Sequence, residues 1–226
     1  QKDWIFLART SYIVTDADSA FIFMTAREKQ KDEKTRKRNR SQTWRTDDGG
    51  RTFKYVSPFG EADKFKDVGE KYDAYSIMPS AVRLGEGHYV CAVRELIRRE
   101  KWVRIYESRD SCRSWKPIGD IAKGAHNPAA LVSLGGLRIA AIYGSRQSGP
   151  LGIYGCISDD GGRTWKKPVA LRQDASAWDF GYPVATVRPD GAVVTVYYMT
   201  TRQNPQQHIA ATIWKPGPSG KQKAVQ

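Results

Sequence analysis

Apolar residues along the chain fall into short runs of period two, set off by glycine, proline and aspartate, and no stretch carries a convincing helical period. One arrangement recurs. Pro79 precedes Gly87 by eight residues, Pro128 precedes Gly136 by eight, and Pro183 precedes Gly191 by eight. After each glycine an apolar strand runs on to an arginine: His88 to Arg94, Leu137 to Arg146, and Ala192 to Arg202. A degenerate copy opens the chain, where Asp18-Ser19 takes the place of Asp190-Gly191 and Ala20 to Ala26 leads into Arg27.

A second repeat is interleaved with the first. Thr46 to Phe53, Ser108 to Trp115 and Ser158 to Trp165 each read Ser/Thr-x-Asp-x-x-Arg-Ser/Thr-aromatic. Their aspartates Asp48, Asp110 and Asp160 stand 62 and 50 residues apart. Asp-Gly-Gly is hairpin chemistry, because glycine accepts positive φ and the carboxylate can take backbone N–H groups a few residues on. The closing aromatics, Trp115 and Trp165 among them, can pack across the turn. In the middle copy Ser111 and Cys112 replace both glycines, which predicts a strained or altered turn.

Each unit therefore reads strand, turn, strand, loop, strand, turn, strand. Four-stranded antiparallel units repeating every 50–60 residues or so predict an all-β chain folded as a β-propeller. Four blades are legible, over 1–60, 61–121, 122–173 and 174–214, followed by a flexible basic tail over 215–226. The last unit ends on the strand His208 to Trp214 without a fourth strand of its own.

Composition narrows the possibilities. The 226 residues carry 37 Lys+Arg against 24 Asp+Glu, a net charge of +13, with 40% hydrophobic and 11% aromatic residues. That is ample for a packed core. A mean hydropathy of −0.59 and the lack of any long apolar run predict no membrane span. Cys91, Cys112 and Cys156 are too few and too scattered for a disulfide framework, and without a CxxC pair no metal site or cofactor is expected. The N-terminus has neither an initiator Met nor a signal-peptide core, so the chain is expected to begin partway through something longer. Between Arg27 and Arg45 nine Lys/Arg face three Asp/Glu. A solvated loop is the favoured reading of this stretch, with nucleic-acid binding the alternative, although no helix-turn-helix, RNP or zinc-finger pattern accompanies it.

The three aspartate turns, together with Asn127-Pro128-Ala129-Ala130-Leu131, Asp179-Phe180-Gly181-Tyr182-Pro183, Pro189-Asp190-Gly191 and Ala210 to Trp214, resemble the sialidase superfamily of Asp-box (BNR-repeat) six-bladed propellers. The resemblance runs from about Ser11 to Trp214. It implies a six-bladed ring whose N-terminal blades are missing here, and a secreted or periplasmic location. It also implies a glycoside hydrolase acting on an acidic sugar, in which arginines clamp the substrate carboxylate and a tyrosine–carboxylate pair attacks the anomeric carbon. A guanidinium fork matches a carboxylate bidentately.

Matched position by position, Arg94 and Arg146 fall on two arginines of the clamp and Tyr182 on the nucleophile. Arg27 and Arg202 recur at the same offset as the clamp arginines. The glutamate that should partner the tyrosine would open the blade of Arg94, where Ile77-Met78-Pro79-Ser80 stand instead. Glu95 or Asp179 are the candidates to replace it. Asp48, Asp110 and Asp160, with Trp115 and Trp165, are expected to be structural. Tyr197 and Tyr198 alternate across one strand and read as packing residues. His126, before Asn127-Pro128, is a candidate acid/base because propeller lyases and some glycosidases place a histidine at that position. Three functions thus stay open: a sialidase-like hydrolase, a propeller that binds acidic glycan without turnover, and a polysaccharide lyase. The expected partner in each is an acidic glycan.

Overall fold

The structure is a computed structural model that describes residues 3–29, 39–61, 74–97, 100–122, 124, 128–146 and 150–217. It forms four antiparallel sheets in chain order. The first comprises β1 (Trp4–Val14), β2 (Ala20–Glu28), β3 (Arg40–Thr46) and β4 (Lys54–Phe59). The second comprises β5 (Ala74–Gly85), β6 (His88–Ile97), β7 (Glu100–Ser108) and β8 (Lys116–Ile121). The third comprises β9 (Ala130–Gly135), β10 (Arg138–Ser145), β11 (Gly152–Ser158) and β12 (Val169–Arg172). The fourth has three strands, β13 (Gly181–Val187), β14 (Val193–Met199) and β15 (His208–Trp214). The result is a four-bladed β-propeller, with no α-helix among the described residues. Residues 218–226 of the basic tail and 30–38 of the basic loop lie outside the described residues.

The apolar alternation explains the stacking of the blades. On β6, Tyr89, Cys91 and Val93 point one way and join Phe21 and Phe23 of β2 in a single buried cluster. Val90 and Ala92 point the other way and meet Ile139, Ala141 and Tyr143 of β10. In turn Ala140 and Ile142 of β10 pack on Val193, Tyr197, Met199 and Trp214 of the last sheet. The second strands of the two middle blades, β6 and β10, are therefore buried on both faces, which is why β6 reads as a continuous apolar run rather than a half-polar one.

The aspartate turns close one end of the first three blades with a shared set of bonds. Asp48 accepts from the Thr52 N–H at 2.9 Å and the Thr52 hydroxyl at 2.6 Å. Asp110 accepts the same pair from Ser114 at 2.9 and 2.6 Å, and Asp160 from Thr164 at 2.9 and 2.5 Å. The middle turn keeps this form without glycine: Ser111 and Cys112 take φ of 56° and 64°, the strained region for L-residues. Cys112 is tied down there by its place in the core beside Phe21, Phe23 and Phe59 and by the Ser57 hydroxyl, which donates to its carbonyl at 2.5 Å. Trp115 stacks on Phe59 at 4.7 Å, while the Trp165 indole N–H donates to the Gly162 carbonyl at 3.0 Å.

The opposite end of the blades carries a different irregularity. Register shifts break β1 between Leu7 and Ser11, β5 between Ile77 and Ser80, and β13 between Gly181 and Val184. The residues inside these bulges, Arg9, Met78 and Tyr182, hold equivalent places in three blades. Met78 and Tyr182 sit at φ of 58° and 52°. A bulge re-aims the side chain it carries, and these three aim at a common region.

Candidate functional site

Alternation along β6 dictates where Arg94 goes. It shares the face of Val90 and Ala92, so it turns toward the third blade and the channel beyond. Its Nη1 donates to the Tyr182 hydroxyl at 3.4 Å and lies 4.0 Å from the Met78 sulfur. Among the described residues no carboxylate pairs with it. On the first blade Arg9 reaches the same place, donating from Nη2 to the Pro183 carbonyl, while its Nη1 is buried with no hydrogen-bond partner among the described residues. Burial pulls the Arg9 guanidinium down to about 10, partly countered by the nearby Tyr182. Two cations without carboxylate partners among the described residues thus flank one phenol.

Arg146 behaves otherwise. Its side chain is only 3% exposed. Nε and Nη2 donate to the Phe180 carbonyl at 3.1 and 2.5 Å, and Nη2 also reaches Asp179 and the Tyr198 hydroxyl, each at 3.2 Å. The guanidinium lies 4.4 Å from the Trp178 ring, 5.7 Å from Phe180 and 5.8 Å from Tyr182. Residues 178–182 therefore wrap around Arg146, and its charge is matched by Asp179. It is a pillar for the segment that carries Tyr182, with few donors left for a ligand.

Asp179 itself is 58% exposed at its side chain. The Tyr198 hydroxyl donates to Oδ1 at 2.6 Å and the Gln207 amide to Oδ2 at 3.0 Å. Those bonds, Tyr198 first, hold its carboxyl below the usual range, so it is ionised at neutral pH. Burial, and then Asp179, push the Tyr198 phenol up to about 12. Beside Arg146 the tyrosine that meets a carboxylate is Tyr198, with Asp179, whereas Tyr182 bonds Arg94. The rings of the two tyrosines are 5.8 Å apart. Tyr198 was not legible as more than a packing residue. The alternation that buries Tyr197 in the core sends Tyr198 to the other face, but only the fold brings Asp179 to meet it.

The remaining candidates lie apart from this cluster. Glu95 follows Arg94 on β6 and so points to the opposite face, toward the first blade. It is fully buried, accepting from the Ser76 and Tyr106 hydroxyls, each at 2.6 Å, and from the Glu61 N–H at 3.3 Å. Burial pushes its carboxyl up to about 7, against the pull of those bonds. A carboxyl whose folded value lies above its ordinary 4.5 adds stability below pH 4.5 and loses it as pH rises through 7. Glu95→Gln is accordingly expected to raise the melting temperature at pH 8 and to change it little at pH 4.5. The wild-type penalty at the higher pH is about 3 kcal/mol. An equal effect at both pH values would sink this account.

Arg27 lies on β2 on the face of Phe23 and Thr25, partly buried, with its Nε unpartnered. Arg202 is exposed between β14 and β15. His126 lies outside the described residues. The aspartate turns sit near the Gly87 end of β6, since the Ser111 N–H donates to the Gly87 carbonyl at 3.1 Å. Seven residues of strand, roughly 20 Å, separate that end from Arg94.

A profile of the BNR repeat-like domain matches residues 64–195. Curated proteins give no match. Among solved structures, a protein of unknown function from Dyadobacter fermentans is 25% identical over 86% of this chain, with a TM-score of 0.65. This chain spans 50% of that one. An α-L-arabinofuranosidase of Fusarium graminearum bound to an iminosugar inhibitor aligns over 95% of this chain and 68% of its own, at 15% identity and a TM-score of 0.63. The NanB sialidase of Streptococcus pneumoniae aligns over 85% of this chain and 28% of its own, at 13% identity and a TM-score of 0.55. With the profile covering more than half of its residues and the blades following one another as described, the chain belongs to the BNR repeat-like domain family.

Proposed function

We propose that this chain carries the site of a glycoside hydrolase for a carboxylate-bearing sugar. One observation carries the reading: Arg94 is a largely buried guanidinium with no carboxylate partner among the described residues, set against the phenol of Tyr182 and beside a tyrosine–carboxylate pair. A buried cation without a counter-charge is costly to the fold, and an anionic ligand relieves that cost. Arg94, with Arg9 across the channel, receives the sugar carboxylate. The Tyr198 oxygen bonds the anomeric carbon as its proton passes to Asp179, and the aglycone leaves with the bonding electron pair. Water then bonds the anomeric carbon and displaces the Tyr198 oxygen, which takes its proton back from Asp179, while the proton shed by the water passes through solvent to the released aglycone oxide.

The test is turnover of three aryl glycosides, a sialoside, a glucuronide and an arabinofuranoside, by the chain and its Tyr198→Phe and Tyr182→Phe variants. Release from an acidic substrate is expected, falling about 1,000-fold or more in Tyr198→Phe and much less in Tyr182→Phe. Release from the neutral arabinofuranoside alone would overturn the acidic-sugar reading. Capture of sugar with no release would select the rival, a glycan-binding propeller, which the exposure of Asp179 favours.

A further inference from the structure

The loop from β12 to β13 presents an exposed indole at the mouth of this site. Trp178 is 56% exposed, yet it is held in place, since the Arg146 guanidinium lies 4.4 Å from its ring centroid. Arg146 in turn is fixed by its bonds to the Phe180 carbonyl and to Asp179. An exposed tryptophan pinned by a buried cation loses little freedom when a ligand lands on it. Next to it in sequence stands Asp179, and Gln207 binds the same carboxylate. Flat aromatic surface beside fixed acceptors and donors matches a sugar ring, which offers a face of polarised C–H bonds and a rim of hydroxyls.

We propose that Trp178 is the platform on which the sugar ring stacks, with Asp179 and Gln207 taking hydroxyls at its edge. This rests on the reading of the site as one for a glycoside. Arg146 then acts as a positioning residue, keeping the indole flat across the site, and the anion-binding role falls to Arg94 and Arg9.

The experiment titrates D-glucuronic acid, N-acetylneuraminic acid and L-arabinose, none of which can be hydrolysed, into the wild-type chain, Trp178→Ala and Trp178→Phe. Calorimetry gives affinity, and saturation-transfer NMR identifies the sugar protons against the indole. The expected result is a loss of about tenfold in Trp178→Ala, nearly full retention in Trp178→Phe, and strong transfer to the C–H protons of one sugar face. Wild-type affinity in Trp178→Ala, with an unchanged melting temperature, would overturn the platform. Binding of arabinose alone, still dependent on Trp178, would keep the platform and remove the acidic sugar. No binding of any of the three would overturn both.

Discussion

Replacing Glu107 with alanine is expected to cost about 3–5 kcal/mol of stability, the largest single loss among the sites described. Its side chain is 0% exposed at the end of β7, surrounded by cations from two blades. Arg163, in the third aspartate turn, reaches Oε1 at 2.7 Å; Arg109 lies at 3.0 Å and Lys116 approaches Oε2 at 3.4 Å. His88 Nε2 stands 3.0 Å from Oε1, and an ionised acceptor there requires that nitrogen to carry the proton. Burial alone would push the Glu107 carboxyl up, but the bonds from Arg163 and Arg109 outweigh it and hold it at about 2. Its contribution is therefore complete above pH 4.5 and disappears as pH falls toward 2. Removing it leaves Arg163 and its neighbours clustered without their counter-charge. In a chain of this size the loss reads as a fall in melting temperature of about 10 °C at pH 7. Glu107→Gln keeps the shape and isolates the charge. Variant and wild type should converge as the pH approaches 2, and parallel stability curves across that range would refute the role given to the carboxylate.

The blades were legible because their repeat is written twice, once in the Pro-to-Gly spacing and once in the aspartate turns, and each encodes backbone geometry directly. The offset that ends the second strands on arginine also brings Arg94 and Arg146 to the same end of neighbouring blades. What it does not encode is counter-charge. Arg94 and Arg146 look alike in sequence, yet Asp179 and the Phe180 carbonyl make Arg146 a buried pillar, while Arg94 has no carboxylate among the described residues. Glu95 shows the same limit from another side, because adjacency to Arg94 on a strand means opposite faces. Arg9 escaped notice because Thr10 stands where Pro79 and Pro183 mark the equivalent bulges. The register shift between Leu7 and Ser11 restores the equivalence. The signal in the sequence is the place held by Met78 and Tyr182 in their units, which Arg9 holds in the first, and not the proline after it.

Arg94→Met is expected to move stability and function in opposite directions. In the free protein the guanidinium is largely buried, and among the described residues its Nε has no hydrogen-bond partner while Nη1 meets a phenol and a thioether, with the Tyr75 ring 5.8 Å from the guanidinium carbon. A side chain of similar length without the charge removes that desolvation cost, so the melting temperature should rise by a few degrees. Binding should suffer in proportion, because the ligand carboxylate loses its nearest cation, which is itself largely buried. Truncating one member of such a pair costs about 2–4 kcal/mol, which corresponds to a loss of about 30- to 1,000-fold in kcat/KM on an acidic glycoside. Arg94→Lys should recover part of that loss, since charge survives but the planar fork does not. Arg9→Met should repeat the pattern at smaller amplitude, given that Arg9 also holds the Pro183 carbonyl. The neutral arabinofuranoside serves as the control. Equal losses on neutral and acidic substrates, or a fall in melting temperature, would make Arg94 a structural residue and leave the site without its receptor for the acid group.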